Sequence, residues 1–232
     1  MITSAANPRL KLVRRLRSAP QRRRLGLFVV EGEDLVQAGI DAGLEPEDVL
    51  TAGVDVEPKL LADLSELAHP ARVMAVFRRD DLRKAEPGPV GLALWHVADP
   101  GNVGTLIRTA DAFGAFVALS SGSADPTSAK ALRGSAGAIF RVPLLDFDDA
   151  PTPWIALVAE GGQRVEDIEL DERATFVLGA ERAGLPAEVL ERCDAAASIP
   201  MATPTASTRP THRRTMAATA IPRLTAGSTR HV

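Results

Sequence analysis

The chain is poor in sulfur chemistry and has no long apolar run. Cys193 is its only cysteine, which excludes an internal disulfide and a thiolate-rich metal cluster and fits a reducing compartment. No stretch approaches the roughly 18 apolar residues of a spanning helix, so the sequence reads as a soluble, cytoplasmic protein without a membrane. Also missing are a Gly-x4-Gly-Lys-Ser/Thr phosphate loop, a Gly-x-Gly-x-x-Gly turn after a strand, a His-Glu-x-x-His pair and a Gly-x-Ser-x-Gly elbow. ATP hydrolysis, classical dinucleotide binding and serine hydrolysis lose ground accordingly. The four histidines, His69, His96, His212 and His231, are scattered, so no metal is expected.

What is present is a globular composition with an uneven charge. The 232 residues are 45% hydrophobic and 25% charged, enough to bury one large core or two modest ones. The net charge of −3 conceals eight Lys/Arg and no acid within residues 1–25. After Asp194 there is again no acid, while five arginines occur, leaving 14 basic against 30 acidic residues in between. An acidic body with a basic arm suits a polyanionic partner. A solvated basic helix or a transit peptide would share that charge pattern.

Leu10, Leu12, Val13 and Leu16 recur at helical spacing among the arginines of 9–17, predicting a short basic amphipathic helix. Residues 27–30 read as a strand, 33–39 as a helix, 48–52 and 71–77 as strands around a helical 58–68. Together they form a small α/β module ending at the Glu86-Pro87-Gly88-Pro89 linker. Beyond it the expectation is strand 91–97, helix 102–113, strand 116–120, helix 127–134, strands 139–143, 154–159 and 175–179, helix 186–192 and strand 196–199. Strands without strict alternation, spaced by helices, predict a mostly parallel α/β sheet covered on both faces, with a ligand site outside its carboxyl ends.

Two segments fall at those ends. In Asp99-Pro-Gly-Asn-Val-Gly-Thr-Leu-Ile-Arg108, continuing to Gly114, the residues Val103, Leu106, Ile107, Ala110 and Phe113 form one apolar stripe. Asn102 is placed at the N-cap and Arg108 opposite the stripe, facing the strand ends; simple capping and an exposed arginine would look the same. In Phe176–Met201, Gly179 permits close backbone approach and Ile199-Pro200-Met201 could wall a nucleoside, or these are turn residues alone.

Asp99–Gly114, Lys130-Ala-Leu-Arg-Gly-Ser-Ala-Gly-Ala138 and Leu178–Met201 resemble, in order and spacing, the SpoU (TrmH-like) RNA 2′-O-ribose methyltransferases of the α/β-knot (SPOUT) class. Ser4-Ala-Ala-Asn-Pro-Arg-Leu-Lys11 and Phe28-Val-Val-Glu-Gly32 look like the substrate-binding module that often precedes that domain. The resemblance implies S-adenosylmethionine as methyl donor, rRNA or tRNA as substrate, a homodimer whose site draws on both copies, and a C-terminal trefoil knot. It divides the chain into an RNA-binding unit (1–86), a methyltransferase unit (87–201) and a basic tail (202–232). Asn102 and Arg108 match the catalytic motif. Gly179 and Ile199 match positions that contact the cofactor; Glu181 and Met201 belong to the same motifs. Arg9, Lys11, Arg22, Arg24 and Arg133 would hold RNA phosphates.

The tail departs from the family pattern. Thr208 stands where a cofactor-contacting leucine is expected and Arg209 where an asparagine is, and Pro210 and Pro222 interrupt any long helix. An out-of-register reading of the coding sequence and a divergent C-terminus both account for this. An RNA-binding protein of the same fold that no longer transfers methyl groups is the alternative function.

Overall fold

The computed structural model describes residues 1–83, 86–170 and 172–199. Met201, Thr208 and the segment expected to form the knot lie outside the described residues.

Helix α1 (Pro8–Leu16) begins where Asn7 accepts a hydrogen bond from the Arg9 amide at 2.9 Å, with a proline in its first turn. Its buried face is Leu10, Val13 and Leu16. Helix α2 (Ala19–Leu25) follows and ends at Gly26, whose φ of 65° suits glycine. Strands β1 (Leu27–Glu31), β2 (Asp48–Thr51) and β3 (Val73–Arg78) form an antiparallel sheet in the order β1-β3-β2, accompanied by helices α3 (Glu33–Asp41) and α4 (Pro58–Ala62). One face of this sheet, with Met74 and Val76, packs on Leu10, Val13, Leu16, Leu61 and Leu64.

The larger sheet has seven strands, all parallel: β4 (Val90–Leu94), β5 (Phe116–Leu119), β6 (Leu144–Asp146), β7 (Trp154–Val158), β8 (Gln163–Arg164), β9 (Ala174–Leu178) and β10 (Ala195–Ser198). Their spatial order is β6-β5-β4-β9-β7-β10-β8. Helices α5 (Pro100–Ala112), α6 (Ala129–Ser135) and α7 (Ala187–Leu190) connect them. Side chains alternate between two cores. Leu92, Leu94, Val117, Ile155, Leu157, Phe176 and Leu178 join Val103, Leu106 and Ile107 of α5, whereas Ala93, Phe116, Ala118, Trp154 and Val177 join Phe147 and Val189 on the opposite face. Burial on both faces is why these strands read as continuous apolar runs.

Helix α5 lies unusually close to α6, because a Cβ on Gly104 would stand 2.3 Å from the Ala131 carbonyl oxygen. The two sheets are separate hydrogen-bonded units, yet their apolar core is continuous: Phe28 and Phe77 of the first belong to the same cluster as Ile139 and Phe140 of the second. The Phe77 and Phe140 rings are 5.9 Å apart.

The strand expected over 139–143 is absent. Ala136 and Gly137 take φ of 48° and 84°, ending α6, and Ala138–Phe140 form a buried 3-10 turn, so the strand starts only at Leu144. A short buried apolar run does not by itself distinguish strand from helix. Helix α2 was not foreseen either, because Arg22-Arg23-Arg24 carries no apolar period.

Candidate active site

All strands of the large sheet point the same way, so the carboxyl ends of β4, β9 and β10 share one edge. At that edge β4 continues into a braced turn. The Trp95 amide donates to the Leu178 carbonyl at 2.8 Å, and the His96 and Val97 amides donate to Ser120 Oγ at 2.9 Å and Ser123 Oγ at 3.2 Å. His96 has a φ of 52°, a conformation costly for a residue with a Cβ, and its ring stacks on Trp95 at 4.6 Å. Non-glycine residues persist there when their surroundings over-determine them.

The turn delivers Asp99, and this residue, rather than Asn102, caps α5. An Asp99 carboxylate oxygen accepts from the Asn102 amide at 3.0 Å, and the other accepts from Lys130 Nζ at 2.6 Å. The Lys130 hydrogen bond first, and the Asn102 amide second, hold the Asp99 carboxyl below its ordinary pKa. Pro100, which has no amide to satisfy, opens the helix. Asn102 therefore sits one turn inside with its side chain released from capping, and its Nδ2 donates to Glu181 Oε1 at 2.9 Å. Burial pushes the Glu181 carboxyl up, but the Asn102 hydrogen bond and several backbone amides outweigh it, and the net shift is downward.

Arg108 is exposed, six residues along α5, a rise of about 9 Å from Asn102. Among the described residues its guanidinium makes no hydrogen bond or ion pair. It projects from the face opposite Val103, Leu106, Ile107 and Ala110, which are buried, as the stripe predicted. Gly179 lies at a close approach within the chain itself. A Cβ there would lie 2.2 Å from the backbone carbon of Gly184, so the close approach is made by the chain's own turn, where Ala180 and Gly184 exchange hydrogen bonds at 3.1 and 2.9 Å. Ile199 is half-buried against the main core.

The basic residues separate into three groups. Lys11, Arg24 and Arg133 are exposed; Arg133 borders an open groove of about 460 Å³ that Glu31, His69 and Arg72 also line. Arg9 is partly exposed and engages Asp48 through Nε at 2.8 Å and Val49 O at 2.9 Å. Arg22 is only 5% exposed and donates to Asp125 and to the Leu16 and Arg17 carbonyls. Its guanidinium satisfies the end of α1, so the structure removes it from the surface on which a phosphate would bind.

The sequence reading missed Lys130 on Asp99 and the whole environment of Asp125. Lys130 lies within a segment already singled out by its family pattern; Asp125 carries no local signal. Among the described residues no group of three or more His, Cys, Asp or Glu could hold a metal, and no helix is long and apolar enough to cross a membrane.

Several known proteins are similar to this chain over most of its length. The 23S rRNA (guanosine(2553)-2′-O)-methyltransferase RlmP of Bacillus subtilis is 29% identical over 228 residues, covering 86% of this chain and 90% of that protein. The AdoMet-bound rRNA methyltransferase of Sinorhizobium meliloti superposes with a TM-score of 0.78 at 27% identity, over 96% of this chain and 95% of its own. The AdoMet complex of the SpoU methyltransferase AviRb from Streptomyces viridochromogenes gives 0.74 at 25% identity, over 94% and 95%. The SpoU rRNA Methylase family matches residues 89–208, more than half of the sequence. With its parallel sheet, its Asn102 turn and these relatives, the chain belongs to the SpoU rRNA methylase family.

Proposed function

We propose that this protein transfers a methyl group from S-adenosylmethionine to a ribose 2′-oxygen of rRNA or tRNA. The observation that carries the reading is the hydrogen bond between Asn102 and Glu181. It joins the helix that bears Arg108 to the turn after β9, so a catalytic segment and a cofactor segment meet at one sheet edge.

The groups at that edge fit the cofactor. The turn at Gly179–Glu181 places a carboxylate at the sheet edge, and Ile199 offers an apolar wall, a combination that suits a nucleoside. Gly179, Glu181 and Ile199 would hold it, with Met201 and Thr208 contributing from the segment beyond. When bound, S-adenosylmethionine supplies a methyl carbon activated by its sulfonium. The protein's own task is to align the 2′-oxygen and stabilise charge on it. Arg108, a cation without a carboxylate partner among the described residues, lowers the cost of losing the 2′-hydroxyl proton to solvent as the oxygen takes the methyl group from the sulfonium. Its role is electrostatic. Asn102 is held by Glu181 and presents the start of α5 to the ribose.

Residues 1–86 select the RNA, with Lys11 and Arg24 meeting phosphates, Arg9 assisting from beside Asp48 and Arg133 contributing from α6. A homodimer completes the site, a reading supported by the family resemblance. Incubation with rRNA and S-adenosylmethionine carrying a labelled methyl group tests the proposal. Label in the RNA is expected; RNA binding without transfer would favour a protein that retains only the binding function.

A further inference from the structure

We infer that Asp125 is a positioning residue, locking the amino-terminal unit onto the methyltransferase unit in the attitude that brings bound RNA to the Asn102 turn. This rests on the RNA methyltransferase reading.

Asp125 lies in the loop after β5, on the methyltransferase side, and its side chain is 7% exposed. Two arginines from the first unit converge on it. Arg22 Nε of α2 donates to one carboxylate oxygen at 2.9 Å, and Arg79 Nη1, just after β3, donates to the other at 2.9 Å. The Thr127 hydroxyl and amide add hydrogen bonds at 2.7 and 2.9 Å, and Arg79 also donates to Thr127 Oγ1. Arg22 in turn donates through Nη1 to the Leu16 and Arg17 carbonyls at 2.9 and 2.8 Å, so the corner between α1 and α2 is fixed to the same carboxylate.

Elsewhere along the seam, among the described residues, a contact of another kind is found. Gly39, Phe77 and Phe140 make an apolar contact, which favours proximity but sets no direction. Charge-assisted hydrogen bonds with planar guanidinium donors set an angle. Asp125 is also tied to the catalytic edge, because the Ala124 amide donates to the Val97 carbonyl at 2.8 Å and Ser123 Oγ to the Leu94 carbonyl at 3.0 Å. One buried carboxylate thus orients the basic α1–α2 arm against the loop that braces the turn before Asp99. None of these groups bonds to Asn102, Arg108 or Glu181.

The test compares the full chain with Asp125→Asn and, in case that variant folds poorly, with Arg79→Gln, using Arg79→Lys as the conservative control. Hydrogen exchange, affinity for 23S rRNA by filter binding, and steady-state methyl transfer are measured on each. Exchange in 19–25 and 79–83 should rise about fivefold or more while 90–94 and 174–178 stay unchanged. The KM for RNA should rise about tenfold, with kcat and the Kd for S-adenosylmethionine within about twofold; Arg79→Lys should recover most of the loss. Unchanged RNA affinity and KM despite a loosened seam would overturn the inference, as would uniformly faster exchange, which marks a merely structural role. Wild-type protein without transfer activity would instead defeat the methyltransferase reading, and exchange with RNA affinity would still decide whether Asp125 sets the docking.

Discussion

Asn102 Nδ2 and Glu181 Oε1 are 2.9 Å apart, although 79 residues separate them in the chain. The contact exists because Asp99 takes over the capping of α5 and leaves the Asn102 side chain to reach across the sheet edge. Replacing Glu181 by Ala removes that anchor from a partly buried position. The expected result is a Kd for S-adenosylmethionine raised about tenfold by calorimetry, with a stability loss of only about 0.5–1.5 kcal/mol.

Arg108 is predicted to act on the transition state alone. In Arg108→Ala, kcat should fall by about 100-fold to 1000-fold, the usual consequence of losing one preorganised charge-stabilising group. RNA affinity should stay within about threefold, since one exposed contact among several is lost. An unchanged rate would remove Arg108 from the mechanism.

The buried ion pairs of Asp125 predict an acid-sensitive seam. Burial pushes its carboxyl up, but Thr127 and Arg79 outweigh burial and lower it from 3.8 to about 2. A carboxyl whose pKa is depressed by folding contributes its stability above the unfolded value. That contribution, about 2 kcal/mol, is present at neutral pH and lost as pH falls from about 4 towards 2. Urea titrations at pH 6 and pH 3 should therefore differ less in Asp125→Asn than in the wild type.

Gly104 tests the packing that holds the Arg108 helix in place. A methyl group there would meet the Ala131 carbonyl oxygen at 2.3 Å, so Gly104→Ala should destabilise by about 1–3 kcal/mol. Thermal unfolding should show a fall of several degrees, on the order of 2–4 °C per kcal/mol.

The exposed arginines and lysine of the arm make an ionic prediction. Lys11→Gln and Arg24→Gln should each lower the slope of log affinity against log salt by about 0.7–0.9. Arg22→Gln should instead destabilise the fold, because it strips partners from Asp125 and from the end of α1.

The sheet was legible in the sequence because doubly buried parallel strands concentrate Leu92, Leu94, Phe176 and Val177 into short apolar runs spaced by helices. Likewise, the face of α5 followed from the spacing of Val103, Leu106, Ile107 and Ala110. The short turn at Ala138–Phe140 was not legible, since its backbone path depends on two consecutive positive φ values at Ala136 and Gly137, of which only the glycine advertises itself. Which residue caps α5 depended on a choice between Asp99 and Asn102 that local spacing alone leaves open. The role of Gly179 required knowing that Gly184 folds back upon it, and Asp125 is met by arginines 103 and 46 residues away, a pairing with no local trace.

The central claim is transfer to a ribose 2′-oxygen. The most direct measurement is digestion of rRNA to nucleosides after reaction with methyl-labelled S-adenosylmethionine, followed by chromatographic separation. The account predicts label in a 2′-O-methylated nucleoside and its loss in Arg108→Ala. Label on a base, or none from protein that binds both RNA and S-adenosylmethionine, would contradict it.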